Sequence, residues 1–243
     1  KRRRRRALLC LSPKDINRMS NKTIIELESI NKIYTTGKTK LQVLFDIDLQ
    51  IYQGDLISIV GPSGSGKTTL LNIIACLDRA TTGRYSLLGA DIKSKSNDDL
   101  SMLRNKSIGF IFQSFNLLAR HTAFENVQMP LHYSDVIKKK EREEKAKECL
   151  ELVDLGNRIQ HYPNELSGGQ QQRVAIARSL INNPDIILAD EPTGNLDSKT
   201  SADIIGLLKK LHKSGKTIII ITHDETIAKE AMETIKIHDG RIV

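Results

Sequence analysis

The sequence predicts an α/β protein: a mostly parallel sheet covered on both faces by helices, an antiparallel β subdomain ahead of it and a helical subdomain inserted within it. Three observations carry this. Buried-type runs at 55–60, 185–190 and 216–222 are strand-sized, helical patterns at 68–77, 170–181 and 198–211 alternate with them, and 243 residues with 39% hydrophobic content suffice for a sizeable core.

In chain order, Ile24 to Tyr34 and Leu41 to Ile51 alternate imperfectly between apolar and polar across Thr35 to Lys40, which predicts an antiparallel hairpin. Asp55 to Val60 is a buried strand running into a glycine-rich loop, and Thr68 to Leu77 has helical character. Asp99 to Arg104 and Ile137 to Leu155 read as helices. The second is charged over Lys138 to Lys147 and apolar through Cys149, Leu150, Leu152, Val153 and Leu155. A mostly helical subdomain is therefore expected between about 115 and 180. Gln170 to Ile181 is a further helix, Asp185 to Asp190 a strand, Ser198 to Leu211 a helix and Lys216 to Thr222 the last buried strand.

Composition excludes some function classes. The formal charge of +8 invites a nucleic-acid reading, but Lys1, Arg2 to Arg6, Lys14 and Arg18 against Asp15 account for seven of those charges. The rest is nearly neutral, and only five Tyr and five Phe are present for bases to stack on, so no nucleic-acid partner is expected. Residues 1–22 read as a basic leader, a disordered tail or an upstream extension with Met19 as a natural start, and residues 23–243 as a single domain. A secretory signal and a polybasic contact with anionic lipid are the rival readings of the leader. The apolar patch Ala7 to Leu11 is shorter than the roughly seven to fifteen residues a signal core needs. No run approaches the ~18 apolar residues of a spanning helix, so a membrane role is expected to come from a partner. Cys10, Cys76 and Cys149 are odd in number, far apart and without metal-ligand spacing, as reduced cytoplasmic thiols would be.

Gly61-Pro62-Ser63-Gly64-Ser65-Gly66-Lys67-Thr68 is a complete P-loop, with a strand before it and a helix after. Its glycines let consecutive backbone N–H groups curl round phosphates, and the helix N-terminus adds partial positive charge. Lys67 supplies a point charge, Thr68 a hydroxyl for Mg²⁺, and Thr69 continues the first turn. Ile186 to Glu191 is a hydrophobic strand ending in two carboxylates, Asp190 suited to Mg²⁺ and Glu191 to polarising water. Leu166-Ser167-Gly168-Gly169-Gln170 adds a second anion-type site at a helix start.

Together with Gln171 to Arg178, that last tract resembles the signature that defines the ABC (ATP-binding-cassette) ATPases, and the resemblance spans Thr23 to Val243 with every motif in order. It implies a P-loop NTPase core, ATP and Mg²⁺ as ligands, and head-to-tail pairing of two copies, the signature of each closing over the γ-phosphate held by the other. Gln113 matches the Q-loop glutamine that reaches Mg²⁺ and the attacking water, His223 the switch histidine and Asn195-Leu196-Asp197 the D-loop. Tyr34 falls where an aromatic stacks on adenine; a core or edge tyrosine is the other reading.

The tracts Leu71 to Asp78, Ile108 to Leu117 and Leu188 to Asp197 look like the MacB/LolD branch, which serves lipoprotein release and macrolide and peptide export. Ala75 departs from the glycine usual there. The branch implies a separate integral membrane subunit, docked around Ser114 to Val127, and a place on the cytoplasmic face of the membrane. Cell-division ATPases of the FtsE kind are the nearest alternative. Chromosome-maintenance ATPases are excluded because only fifty-two residues separate Gln113 from Leu166, too few for their coiled coil.

Overall fold

The computed structural model describes residues 22–37, 39–133 and 138–243. The expectations for the leader, Cys10 and Ile137 lie outside these residues.

Two sheets organise the chain. β1 (Thr23–Thr36) and β2 (Thr39–Tyr52) form the expected hairpin, and β4 (Thr82–Leu87) and β5 (Ala90–Asp91) extend it in the antiparallel order β2-β1-β4-β5. Register shifts near Ile30 bend β1. They are fastened from Asn31, whose amide donates to Asp46 and whose carbonyl accepts the Asp46 N–H.

The second sheet runs β10-β9-β3-β8-β7-β6, built from β3 (Leu56–Val60), β6 (Ile108–Phe112), β7 (Ile186–Asp190), β8 (Thr217–Ile221), β9 (Glu233–His238) and β10 (Arg241–Ile242). All its pairings are parallel except β9 with β10. Because side chains alternate across a sheet, Ile219 and Ile221 of β8 enter one core while Ile218 and Ile220 enter another. The near-continuous isoleucine run is what a strand covered on both faces requires.

One core joins the antiparallel sheet to α1 (Lys67–Ile74). The other joins the opposite face to α3 (Ala123–Gln128), α4 (Lys139–Leu152), α5 (Gly168–Leu180) and α6 (Ser198–Lys213). The inserted helical subdomain hangs on this second core. Ala146 and Leu150, one turn apart on α4, are fully buried there, and truncating Leu150 to alanine should cost about 2–5 kcal/mol. Arg173 of α5 closes the end of α4, donating to Val153 O at 3.1 Å and to Asp154 at 2.9 Å.

Most element ends lie within two residues of expectation, and three helices differ by three residues at one end. α1 ends at Ile74 rather than Leu77, because Cys76 takes a φ of 54° and the chain doubles back. α4 stops at Leu152, so Val153 and Leu155 are buried from a turn and Leu152 is exposed. α2 (Asn97–Ser107) is longer than Asp99 to Arg104, since Ser96 and Asp99 form a capping box ahead of it. Among the described residues no helix is long and apolar enough to cross a membrane.

Candidate active site

The parallel strands deliver their loops to one edge. Ile59 pairs with Ile221, Ile221 with Asp190 and Asp190 with Phe112, so Gly61, Thr222, Glu191 and Gln113 all begin just beyond the same edge of the sheet. Ligand sites of open α/β sheets form outside these carboxyl ends.

α1 starts on Gly66, whose φ of 101° is closed to side chains, and no side chain caps it. Of the other helices, α2, α3, α5, α6 and α7 (Glu225–Ala228) are capped by Ser96, Thr122, Ser167, Asp197 and Asp224, while α4, which follows Lys138, also lacks a side-chain cap. The first-turn N–H groups of Lys67, Thr68 and Thr69 are therefore left for an anion. Pro62, Ser63 and Gly64 are exposed above them. The Lys67 ammonium is held in the loop by Gly61 O at 2.7 Å and Pro62 O at 2.8 Å, which leaves its third donor for a phosphate oxygen. The Ser65 hydroxyl is buried without a hydrogen-bond partner, an orphan polar atom at the base of the same loop.

Asp190 and Glu191 stand beside this loop. Burial pushes the Asp190 carboxyl above the ordinary range and the Glu191 charge adds to the rise, with Lys67 opposing both. Glu191 takes a φ of 46°, held by its N–H to Ile221 O at 2.9 Å. That turn aims its carboxylate along the sheet edge: Oε1 lies 2.7 Å from His223 Nδ1, and Oε2 accepts from the Thr222 hydroxyl at 3.3 Å. A carboxylate only accepts, so Nδ1 carries the hydrogen and Nε2 is left to face a ligand.

Gln113 is brought to the edge but turned. Its side-chain amide lies 3.5 Å from Asn195 Oδ1, and Asn195 Nδ2 donates to Gln113 O at 3.0 Å. Gly194 permits this approach, since a Cβ there would lie 2.6 Å from Gln113 Nε2. Beyond Gln113, Phe115 and Asn116 both have positive φ, 59° and 49°, and their carbonyls accept from the half-buried guanidinium of Arg178 at 2.8 and 2.6 Å.

The signature is elsewhere. Ser167 caps α5 in a reciprocal box with Gln170, Oγ accepting from Gln170 N at 3.3 Å and Ser167 N–H donating to Gln170 Oε1 at 3.0 Å. Gly168 and Gly169 form the first turn, with Gly169 against the Thr200 methyl. Asp197 caps α6, accepting from Thr200 N at 3.0 Å and Thr200 Oγ1 at 2.6 Å, bonds that hold its carboxyl below the ordinary range. Among the described residues no hydrogen bond joins the P-loop to Ser167, Gly168, Gly169, Gln170 or Asp197. α1 and α5 belong to different cores.

Thr68, Gln113 and Asp190 offer a hydroxyl, an amide and a carboxylate, a hard oxygen set of the kind Mg²⁺ accepts. Among the described residues no three His, Cys, Asp or Glu cluster as a metal cage. The fit is to an ion that keeps waters and phosphate oxygens around it, beside a pair of adjacent carboxylates that need a cation.

Sequence reasoning missed Lys32, Asp78 and Arg178, and named Asn195 only within the D-loop, without its contact to Gln113. Asp78 and Arg178 lay inside quoted tracts, but their partners are 46 and 62 residues away, which no local pattern announces.

The ABC transporter family model matches residues 44–194. An ABC transporter ATP-binding protein of Thermotoga maritima is 50% identical over 221 residues, 91% of this chain and 94% of its own. The macrolide export ATP-binding/permease protein MacB of Hyphomonas neptunium is 49% identical over 220 residues, and the match spans 90% of this chain but only 34% of that protein. The ATP-binding cassette MJ0796, solved as a post-hydrolysis dimer with ADP and phosphate, superposes with a TM-score of 0.82 at 45% identity, covering 90% of this chain and 96% of that one. An uncapped phosphate loop, a paired carboxylate edge and a remote signature helix are thus joined to likeness over nine-tenths of the chain, and this protein belongs to the ABC transporter family as an ATP-hydrolysing cassette.

Proposed function

We propose that the chain binds ATP with Mg²⁺, pairs head to tail with a second copy, and drives a separate integral membrane subunit from the cytoplasmic face of the membrane. The observation that carries it is the separation of two anion-type helix starts onto different cores. One molecule has no use for a second phosphate site remote from the first; two molecules facing each other do.

In this reading the first turn of α1 and Lys67 hold the β and γ phosphates, and Tyr34 receives the base. Thr68, Asp190 and Gln113 would hold Mg²⁺, which when bound neutralises phosphate charge. Gln113 must first leave Asn195. Glu191 accepts a hydrogen from the attacking water, its direction fixed by Ile221 O and Thr222. His223 Nε2 faces the γ-phosphate. From the second copy, the Ser167 hydroxyl and the amides of Gly168, Gly169 and Gln170 close the pocket, and Asp197 lines the same interface. Loss of the γ-phosphate removes what both copies share, and the pair opens.

MacB of Hyphomonas neptunium carries a macrolide-export name and MJ0796 was solved as a dimer, which favours an exporter over the cell-division alternative. The membrane subunit would dock on Ser114 to Val127, a segment that moves with Gln113 and is tethered by Arg178. Substitution of Phe115 or Leu117 should uncouple ATP turnover from the membrane partner with ATP binding retained. Light scattering on Glu191→Gln tests the pairing: a dimer is expected with Mg-ATP and a monomer without it. A monomer in both conditions contradicts the proposal.

A further inference from the structure

At the base end of the nucleotide site, three charged or polar groups are tied together in a way the hydrolytic chemistry does not use. β1 presents Lys32 and Tyr34. Beyond α1 the chain folds back, the N–H groups of Leu77 and Asp78 both donating to Asn72 O at 2.9 and 3.1 Å, which returns Asp78 toward the front of the helix. Asp78 Oδ1 there accepts from Lys32 Nζ at 2.5 Å and from Arg79 N at 2.7 Å, while Oδ2 accepts from the Tyr34 hydroxyl at 2.8 Å. Thr69, in the first turn of α1, lies beside the same hydroxyl.

The cluster is built, not incidental. Lys32 is only 8% exposed, so its ammonium needs the Asp78 carboxylate and the Arg79 carbonyl, 2.8 Å away. Burial raises the Asp78 carboxyl, but the bonds from Lys32, Tyr34 and Arg79 outweigh it and hold the group below the ordinary range. A charged acceptor makes the bond from the Tyr34 hydroxyl roughly twice as strong as a neutral one would. Lys32 also lies 4.7 Å from the centre of the Tyr34 ring, taking one face. Tyr34 as a whole is still 37% exposed, which leaves room for a flat ligand on the other face of its ring.

We propose that Asp78, neutralised by Lys32, is a positioning residue that locks Tyr34 by its hydroxyl at a set distance from the phosphate loop, so that the site prefers a nucleoside triphosphate to a bare triphosphate. The inference rests on the reading of Tyr34 as the base platform. Its physical content is that α1 sets both subsites, its first turn facing the phosphates and its fold-back holding the ring. A ring already ordered loses less side-chain freedom when a base stacks on it.

The test is the affinity of the full chain for Mg-ATP and for magnesium tripolyphosphate, with Tyr34→Ala, Tyr34→Phe and Asp78→Ala. Tyr34→Phe and Asp78→Ala should each narrow the preference for ATP by about three- to tenfold, with tripolyphosphate binding unchanged, and Tyr34→Ala should narrow it further. If Tyr34→Ala narrows the preference while the other two keep it whole, the platform stands and the lock is overturned. If Tyr34→Ala keeps the preference, the platform itself is wrong and the lock falls with it. An equal loss for both ligands would make Asp78 merely structural and also overturn the proposal. Should Asp78→Ala melt early, with Lys32 left unpaired, Tyr34→Phe still decides, because it leaves the Lys32–Asp78 pair intact.

Discussion

In the proposed reading the starts of α1 and α5 meet the same kind of ligand, yet they are built differently. α1 begins on a glycine with no side-chain cap, so its N–H groups are unsatisfied until a phosphate arrives. α5 begins on Ser167 in a closed box with Gln170, so the N–H groups of Ser167 and Gln170 are partnered within the helix and those of Gly168 and Gly169 are left over. The first start is left open to an anion. The second is stable by itself and gives up little until a phosphate is carried to it, as a site that completes another copy's pocket should be.

The largest expected effect falls on the chemistry that lies between the two starts. Glu191→Gln removes the acceptor aimed at water while keeping its shape, and ATP turnover should fall by roughly two to four orders of magnitude with ATP still bound. Steady-state phosphate release alongside equilibrium ATP binding separates the two. Lys67→Ala breaks the α1 side alone: losing one charge-assisted bond of about 1.5–3 kcal/mol should weaken ATP binding by about ten- to a hundredfold, read by titration calorimetry.

Ser167→Ala breaks the other side. The box should cost about 1 kcal/mol of stability, seen as a lower melting temperature. ATP affinity of a single copy should hold, while Mg-ATP-dependent pairing weakens. If Ser167→Ala and Lys67→Ala depress single-copy ATP binding alike, the contrast between the two starts is wrong. The smallest effect is at Asp197. Its carboxyl is held below the ordinary range by Thr200, so the stability it gives is present above a pKa of about 3.9 and is lost as pH falls through the lower folded value. Asp197→Asn should lower the melting temperature slightly at neutral pH and flatten the acid limb of its profile below about pH 4.

What was legible beforehand follows from how local the cause is. The P-loop, the Asp190–Glu191 strand end and the Ser167 tract are contiguous, and their residue types are dictated by phosphate, metal and helix-start chemistry. β6, β9 and α3 were not assigned, although Glu233 to His238 alternates with Ile235 and Ile237 buried. Six residues of alternation are too few to stand out from noise. β4 opens on three exposed residues, Thr82, Gly83 and Arg84, and is a strand because β1 pairs with it. The contacts of Asp78, Arg178 and Asn195 arise only when distant segments meet, and the turning of Gln113 onto Asn195 is set by the bare Cα of Gly194.

The most direct measurement is a crystal structure of Glu191→Gln grown with Mg-ATP. The account predicts two copies related by a twofold axis, with each Ser167 hydroxyl in hydrogen-bonding reach of a γ-phosphate whose own P-loop lysine belongs to the other copy. A nucleotide-loaded structure with Ser167 open to solvent and still capping only its own helix would contradict it.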